Sequence, residues 1–130
     1  MRGRRLVRTV PSQAEKSPIE VVASLWIHPG RVAEFEAYEH EATRIMQKYG
    51  GVVRNVVRNG DATHSSDGPP FEVHVLRFPS LEAFQSYRAD PELAVLAAER
   101  NAAISRTEVS IGETTRETRA ARGKQGAEAQ

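Results

Sequence analysis

The chain has 130 residues, a formal charge of +1 and no cysteine. It therefore reads as one domain without a disulfide framework, a cysteine zinc site or a catalytic thiol. Its apolar runs are far too short to span a membrane, and the Arg-rich start lacks the apolar stretch of a secretory signal, so a soluble, cytoplasmic protein is expected.

Charge is unevenly spread. Residues 1–17 hold five Lys/Arg against one acid, residues 18–112 nine against thirteen, and residues 113–130 four against three. A mildly acidic body with basic ends argues against nucleic acid as a partner, because a nucleic-acid-binding body concentrates basic side chains on its folded surface. Residues 1–17, with Arg2, Arg4, Arg5 and Arg8, have too few large apolar side chains to offset the entropy of ordering. They are expected to form a disordered basic arm, either a solvated tail or an electrostatic handle for acidic partners.

The first strand is predicted over Ile19–Ile27. Ile19, Val21, Ala23, Leu25 and Ile27 alternate with Glu20, Val22, Ser24 and Trp26, the period-2 pattern of a sheet with one face on a core. His28-Pro29-Gly30 breaks it. A helix follows from about Gly30 to Tyr49, where Val32, Phe35, Tyr38, Ala42, Ile45, Met46 and Tyr49 recur at spacings of three and four. Gly50-Gly51 stops it, because glycine tolerates the left-handed conformation of a helix end.

Val52–Arg58 reads as the second strand, with Val53, Asn55 and Val57 on one face and Val52, Arg54, Val56 and Arg58 on the other. The stretch from Asn59 to Pro70, with His64 inside it, is long for a hairpin connection and reads as a mobile or functional loop. Phe71–Phe78 is the third strand. Ser80 caps a two-turn helix marked by Leu81, Phe84 and Tyr87. Asp90-Pro91-Glu92 restarts the helix, which is expected to run to about Ile104. Thr107, Val109 and Ile111 mark a fourth strand ended by Gly112. Residues 113–130 lack large apolar side chains and read as a disordered tail.

The order strand, helix, strand, strand, helix, strand is the split βαβ of an α+β, ferredoxin-like βαββαβ domain over residues 18–112. Two helical segments must cover one face of a four-stranded antiparallel sheet. The other face then carries Val22, Trp26, Val52 and Val56, too apolar to stay bare, so a homodimer with facing sheets is expected.

The chain resembles the dimeric α/β-barrel superfamily, the antibiotic-biosynthesis-monooxygenase-like folds, and within it a branch of small bacterial proteins of unknown function. The residues that carry the resemblance are Tyr49-Gly50-Gly51, Asp67-Gly68, Phe78-Pro79-Ser80-Leu81-Glu82-Ala83, Pro91-Glu92 and Arg100, spread over about residues 19–112. Tyr87 stands where the branch often has tryptophan, and the loop before the third strand departs from the branch's pattern. The branch has no established activity. The superfamily implies cofactor-independent oxygenases, haem-degrading enzymes, isomerases and non-catalytic dimers, and fold alone does not choose among them.

Two residues are the candidates for chemistry. Arg100 falls within the stripe of Leu93, Leu96, Ala97 and Ile104, and a guanidinium on an apolar face needs a partner. That partner is either a ligand anion, for which arginine is a fork, or a structural one such as Glu72, Glu108 or a strand-end carbonyl. His74 sits in mid-strand, facing either the helix layer or the barrel interior, and suits acid–base work or a plain core position.

Tyr38, Tyr87 and Trp26 are candidates to line a ligand pocket, but aromatics at such spacing more often serve core or interface, and Trp26 is expected at the dimer interface. His28, His40, His64 and His74 show no metal-ligand spacing, and no glycine-rich phosphate loop is present, so neither metal nor cofactor is expected. Two readings remain. One is a cofactor-independent enzyme or binder of a small aromatic or acidic molecule, held between helices and sheet. The other is a non-catalytic dimerisation module with basic tails.

Overall fold

A computed structural model describes residues 17–60 and 66–115. Apart from Ser17 and residues 113–115, the expected arm and tail lie outside those residues, as does His64 in the long loop. The elements are β1 (Ile19–Ile27), α1 (Val32–Gln47), β2 (Val52–Arg58), β3 (Glu72–Phe78), α2 (Leu81–Arg88), α3 (Pro91–Val95), α4 (Ala97–Ala103) and β4 (Ile104–Gly112). The sheet order is β2-β3-β1-β4 and every pairing is antiparallel. This is the ferredoxin-like arrangement that the alternating periods predict, with the helices on one sheet face.

Facing residues across an antiparallel ladder share a side of the sheet. Leu25, Ala23, Val21 and Ile19 pair with Glu72, His74, Leu76 and Phe78, and β4 adds Thr107, Val109 and Ile111 to the same side. Against this side α1 lays Phe35, Tyr38, Ala42, Ile45 and Met46, all buried. The core divides in two. Phe35, Tyr38, Leu25, Ile27, Phe71 and Ile104 form one cluster, and Ile19, Val21, Met46, Phe78 and Phe84 the other. Between them β1 offers only Ala23, paired with His74 and Val109. A methyl group there, where its neighbours carry large side chains, leaves space between sheet and helices.

The turn after α1 depends on its two glycines. Gly50 takes φ +78°, and a Cβ at Gly51 would lie 2.5 Å from Met46 Cγ and 2.6 Å from the Phe78 ring. No side chain larger than hydrogen fits at Gly51, so the chain turns directly onto the second core cluster. Helix α2 starts as the sequence predicts, with Ser80 Oγ accepting from the Ala83 amide at 3.0 Å. Helix α3 starts on Asp90, whose Oδ1 accepts from the Glu92 amide at 2.6 Å.

Four expectations are corrected. The helix expected from Pro91 to about Ile104 is broken at Leu96, whose amide donates to the Leu93 carbonyl at 3.0 Å while its own carbonyl accepts from Arg100. That tightened turn re-aims the chain, so α3 and α4 are separate segments. Strand β4 begins at Ile104, three residues before Thr107, because Ile27 pairs with Ile104 past a register shift at Trp26/Ile27.

The faces of β2 are also redrawn by a shift between Val53 and Asn55. The extra residue puts Val53, Val56 and Arg58 on the helix side and Val52, Asn55 and Val57 on the other. Val56 therefore does not belong to the open sheet face, and Arg54 and Arg58 do not share one. Arg54 reaches the outer-face Glu20 at 3.9 Å, whereas Arg58 reaches Glu72 and Glu36.

Candidate functional site

The gap at Ala23 opens into a cavity of about 690 Å³ between sheet and helices. Its apolar floor and walls include Val21, Leu25, Leu76, Phe84 and Leu93, and Ala94 and Ala97 keep the helical side shallow. His74, Arg100, Tyr38 and Tyr87 all line it, so four of the five residues singled out by sequence come together in one place.

Trp26 does not join them. It points to the other side of the sheet, is 6% exposed, donates from Nε1 to the Gly68 carbonyl at 2.9 Å, and lies under Arg106, whose guanidinium is 4.3 Å from the ring centroid. Arg106 also holds the Ser66 carbonyl at 2.6 Å. The loop before β3 thus folds over Trp26 and covers it within the chain.

His74 faces the helix layer and is 7% exposed. Its Nε2 is 2.8 Å from Glu72 Oε1. An ionised carboxylate only accepts, so Nε2 carries the proton and Nδ1 is left as the basic nitrogen. Glu72 is itself held by Arg58, through Nε at 2.7 Å and Nη2 at 2.6 Å. Arg58 is backed by Glu36 at 3.1 Å and stacks on the Phe71 ring at 4.5 Å. The result is a base whose ring is fixed by a carboxylate that is fixed in turn, the arrangement that oriented general bases use.

On the far side of the ring, Glu39 Oε1 stands 3.6 Å from Nδ1, beyond hydrogen-bond length. Burial pushes the Glu39 carboxyl up from its ordinary range, the Glu72 charge adds to this, and His74 and Arg100 pull it back.

Arg100 is half-buried, donates from Nη2 to Thr107 Oγ1 at 2.7 Å and has the Tyr38 phenol as a second neutral neighbour. Neither partner carries a charge to neutralise it, and Glu72 and Glu108 are engaged elsewhere. Among the described residues no carboxylate lies within ion-pair distance of Arg100. A guanidinium has five N–H donors, so capacity remains for an anion in the cavity. Burial raises the Tyr38 phenol, with Arg100 opposing. The Tyr87 phenol lies well above its ordinary range, through burial first and then through Tyr38 and Glu39. Both tyrosines therefore remain neutral donors at physiological pH.

Sequence reasoning missed Glu39 and missed Glu72 as the partner of His74. Glu72 was within reach of it, since positions two apart on a strand share a face. Glu39 was not, because its approach depends on how α1 docks on the sheet. His28 stands apart, at a strand exit, with Nε2 donating to the Asn101 carbonyl at 3.2 Å. His40 lies exposed on the opposite flank of α1. Among the described residues no group of three or more His, Asp or Glu has the geometry of a metal site, and no helix is long and apolar enough to cross a membrane.

The fold recurs in solved structures. A protein of unknown function from Rhodopseudomonas palustris superposes with a TM-score of 0.66 at 15% identity, over 88% of this chain and 95% of its own. SnoaB, a cofactor-independent oxygenase from Streptomyces nogalater, gives 0.61 at 22% identity over 78% and 96%. A NIPSNAP family protein with unknown function from Agrobacterium tumefaciens gives 0.59 at 19% over 79% and 93%. No curated protein matches the chain.

The molecule is thus a small α+β domain of the ferredoxin-like fold. Its family is equally plain. Residues 22–114 match the model of the domain of unknown function DUF1330, and the chain belongs to that family.

Proposed function

We propose that the chain binds a small aromatic or acidic molecule in the cavity between helices and sheet and acts on it by cofactor-independent acid–base chemistry. One observation carries the reading. Arg100 faces a cavity of about 690 Å³ beside the neutral Thr107 and Tyr38, with no carboxylate in ion-pair reach among the described residues, on the same lining as an oriented His74. Apolar walls suit a ring or short chain, and a guanidinium suits a carboxylate, enolate or phenolate. In this reading His74 Nδ1 takes a proton from the bound molecule and Arg100 with Tyr38 steadies the anion that forms. That SnoaB, a cofactor-independent oxygenase, has the same fold is compatible with such chemistry but does not select the reaction.

Calorimetric titration of the full chain with salicylate tests this reading. Binding is expected, and Arg100→Ala is expected to weaken it about tenfold or more, the loss of a charge-assisted contact. Salicylate binding that ignores Arg100→Ala, or no binding at millimolar concentration by salicylate or by a panel of aromatic monocarboxylates, overturns the reading.

We propose further that two copies of the chain associate through the open sheet face. Val22, Val52 and Val57 are exposed on the open sheet face, Val57 at 55%, with Val73 and Val75 between them. A second copy of the chain is the occupant this apolar face suits, with Trp26 kept out of the contact by its own loop. This also supports the second reading, a non-catalytic dimer module. Light scattering at micromolar concentration is expected to give a dimer, and Val22→Glu with Val57→Glu a monomer. A monomeric wild-type chain overturns the assembly.

A further inference from the structure

Helix α1 separates two spaces. The cavity of the proposed site lies on one side. On the other, between α1 and the edge strand β2, is a groove of about 490 Å³ lined by His40, Thr43, Gln47, Val53 and Val56. Of the described residues, Glu39 and His74 alone line both.

The two carboxylates that flank the imidazole are not equivalent. Glu72 is bound twice by Arg58 and is a fixed acceptor for Nε2–H. Glu39 makes no ion pair with a Lys or Arg among the described residues, Arg100 acting on it only at longer range, and its side chain is about a quarter exposed. It is also the carboxyl that burial makes easier to protonate. The other charged and titratable groups around the pair are Arg58 behind Glu72, Arg100, Tyr38, Tyr87 and Arg88 on the cavity side, and His40 and Arg44 on the groove side.

We propose that His74 and Glu39 form a proton relay through this wall, so that a proton taken up in the inner cavity leaves by the outer groove. The inference rests on the acid–base reading of the cavity and names the exit that such chemistry needs. An X–H bond of the bound molecule breaks, its electron pair stays on X beside Arg100, and the proton forms an Nδ1–H bond while Nε2–H stays on Glu72. That Nδ1–H bond then breaks and the proton passes to a Glu39 carboxylate oxygen, closing the 3.6 Å gap by side-chain rotation. Glu39 gives it to water in the groove and returns to its carboxylate. His74 ends neutral, and the bound molecule ends as an anion. No oxidant or reductant is needed.

The relay is a property of the protein and is testable without a ligand. In the full chain labelled with ¹⁵N-histidine, the rate at which His74 Nδ1 gains and loses a solvent proton is measured by NMR. Glu39→Gln is expected to slow it about tenfold or more, and Glu39→Asp to restore part of the rate. Val56→Trp, which fills the groove, is expected to slow it too, and Ala97→Phe, which fills the inner cavity, to leave it unchanged. Exchange that ignores Glu39→Gln, or that slows only with Ala97→Phe, overturns the relay. A failed relay leaves Arg100-dependent binding standing, and loss of that binding leaves the exchange result standing, so the two failures are told apart.

Discussion

Two polar clusters sit along α1, and they are built in opposite ways. At the junction of α1 with α3, Asp90 is 3% exposed and every acceptor it offers is used. It takes the Glu92 amide at 2.6 Å, the Tyr49 hydroxyl at 2.5 Å and Lys48 Nζ at 2.9 Å. Those donors, the tyrosine first, hold its carboxyl down to about 2. Beside the cavity, Glu39 faces His74 across 3.6 Å, and burial holds its carboxyl up. The first cluster gains stability from its charge and the second gives some up. A satisfied buried carboxylate is a fastening, and one left short of partners against a cavity is a candidate for chemistry.

Removing the fastening is the largest expected effect. Asp90→Ala deletes the cap of α3 and leaves the Tyr49 hydroxyl without its acceptor, and the Tm is expected to fall by roughly 8 °C. Asp90→Asn keeps the cap and should recover more than half of that at pH 7. The pH dependence has a definite sign. The Asp90 carboxyl lies below its ordinary 3.8 in the folded chain, so the unfolded chain binds the proton more readily. Its stabilisation is complete above about pH 4 and is lost as pH falls toward 2. Asp90→Asn should flatten that part of the stability–pH curve, as followed by thermal melts read by circular dichroism. If Asp90→Asn melts like the wild type at pH 7, the charge contributes nothing beyond the cap.

The cavity cluster should respond with the opposite sign. The folded chain raises the Glu39 carboxyl, so it binds the proton more readily than the unfolded chain. Stability therefore falls as pH rises through the interval above 4.5, the ordinary value. Glu39→Gln removes that penalty, and its Tm at pH 7 is expected to exceed that of the wild type by about 2 °C, with no difference at pH 4. A variant that melts lower than wild type at pH 7 would make Glu39 a fastening like Asp90 and erase the contrast.

The two clusters were unequally legible in the sequence. Asp90-Pro91-Glu92 and Ser80 carry their roles in local chemistry, since capping acts within a few residues. The strand and helix periods gave the topology for the same reason. What escaped depends on distant contacts. The two register shifts leave the residue pattern intact and change only which side it faces, so Val56 and Arg58 were assigned wrongly. Alternation placed Trp26 on the outer face correctly, but only the returning loop explains its burial. His74 and Arg100 were visible as polar groups at apolar positions. The rest of their surroundings was not, because Arg58 behind Glu72, Glu39 beside His74 and Thr107 beside Arg100 come from three separate elements.

The smallest effect is expected at the surface of the fastening. Arg44 bridges Glu41 at 3.0 Å and Glu92 at 2.8 Å, and Lys48 reaches the same Glu92 at 3.1 Å. This network looks as extensive as the bonds of Asp90, but its side chains are about half exposed. Water and salt screen such pairs, and ordering long side chains costs entropy that offsets the attraction. Arg44→Ala is therefore expected to shift the Tm by no more than about 1 °C, and even that should vanish in 0.5 M salt, where the Debye length falls to about 4 Å. The Tyr49–Asp90 bond, by contrast, should be insensitive to salt, because a neutral hydroxyl donates to a carboxylate shielded from solvent. A shift for Arg44→Ala as large as that for Asp90→Ala would move the fastening from the buried carboxylate to the surface network, and burial would no longer separate the two clusters.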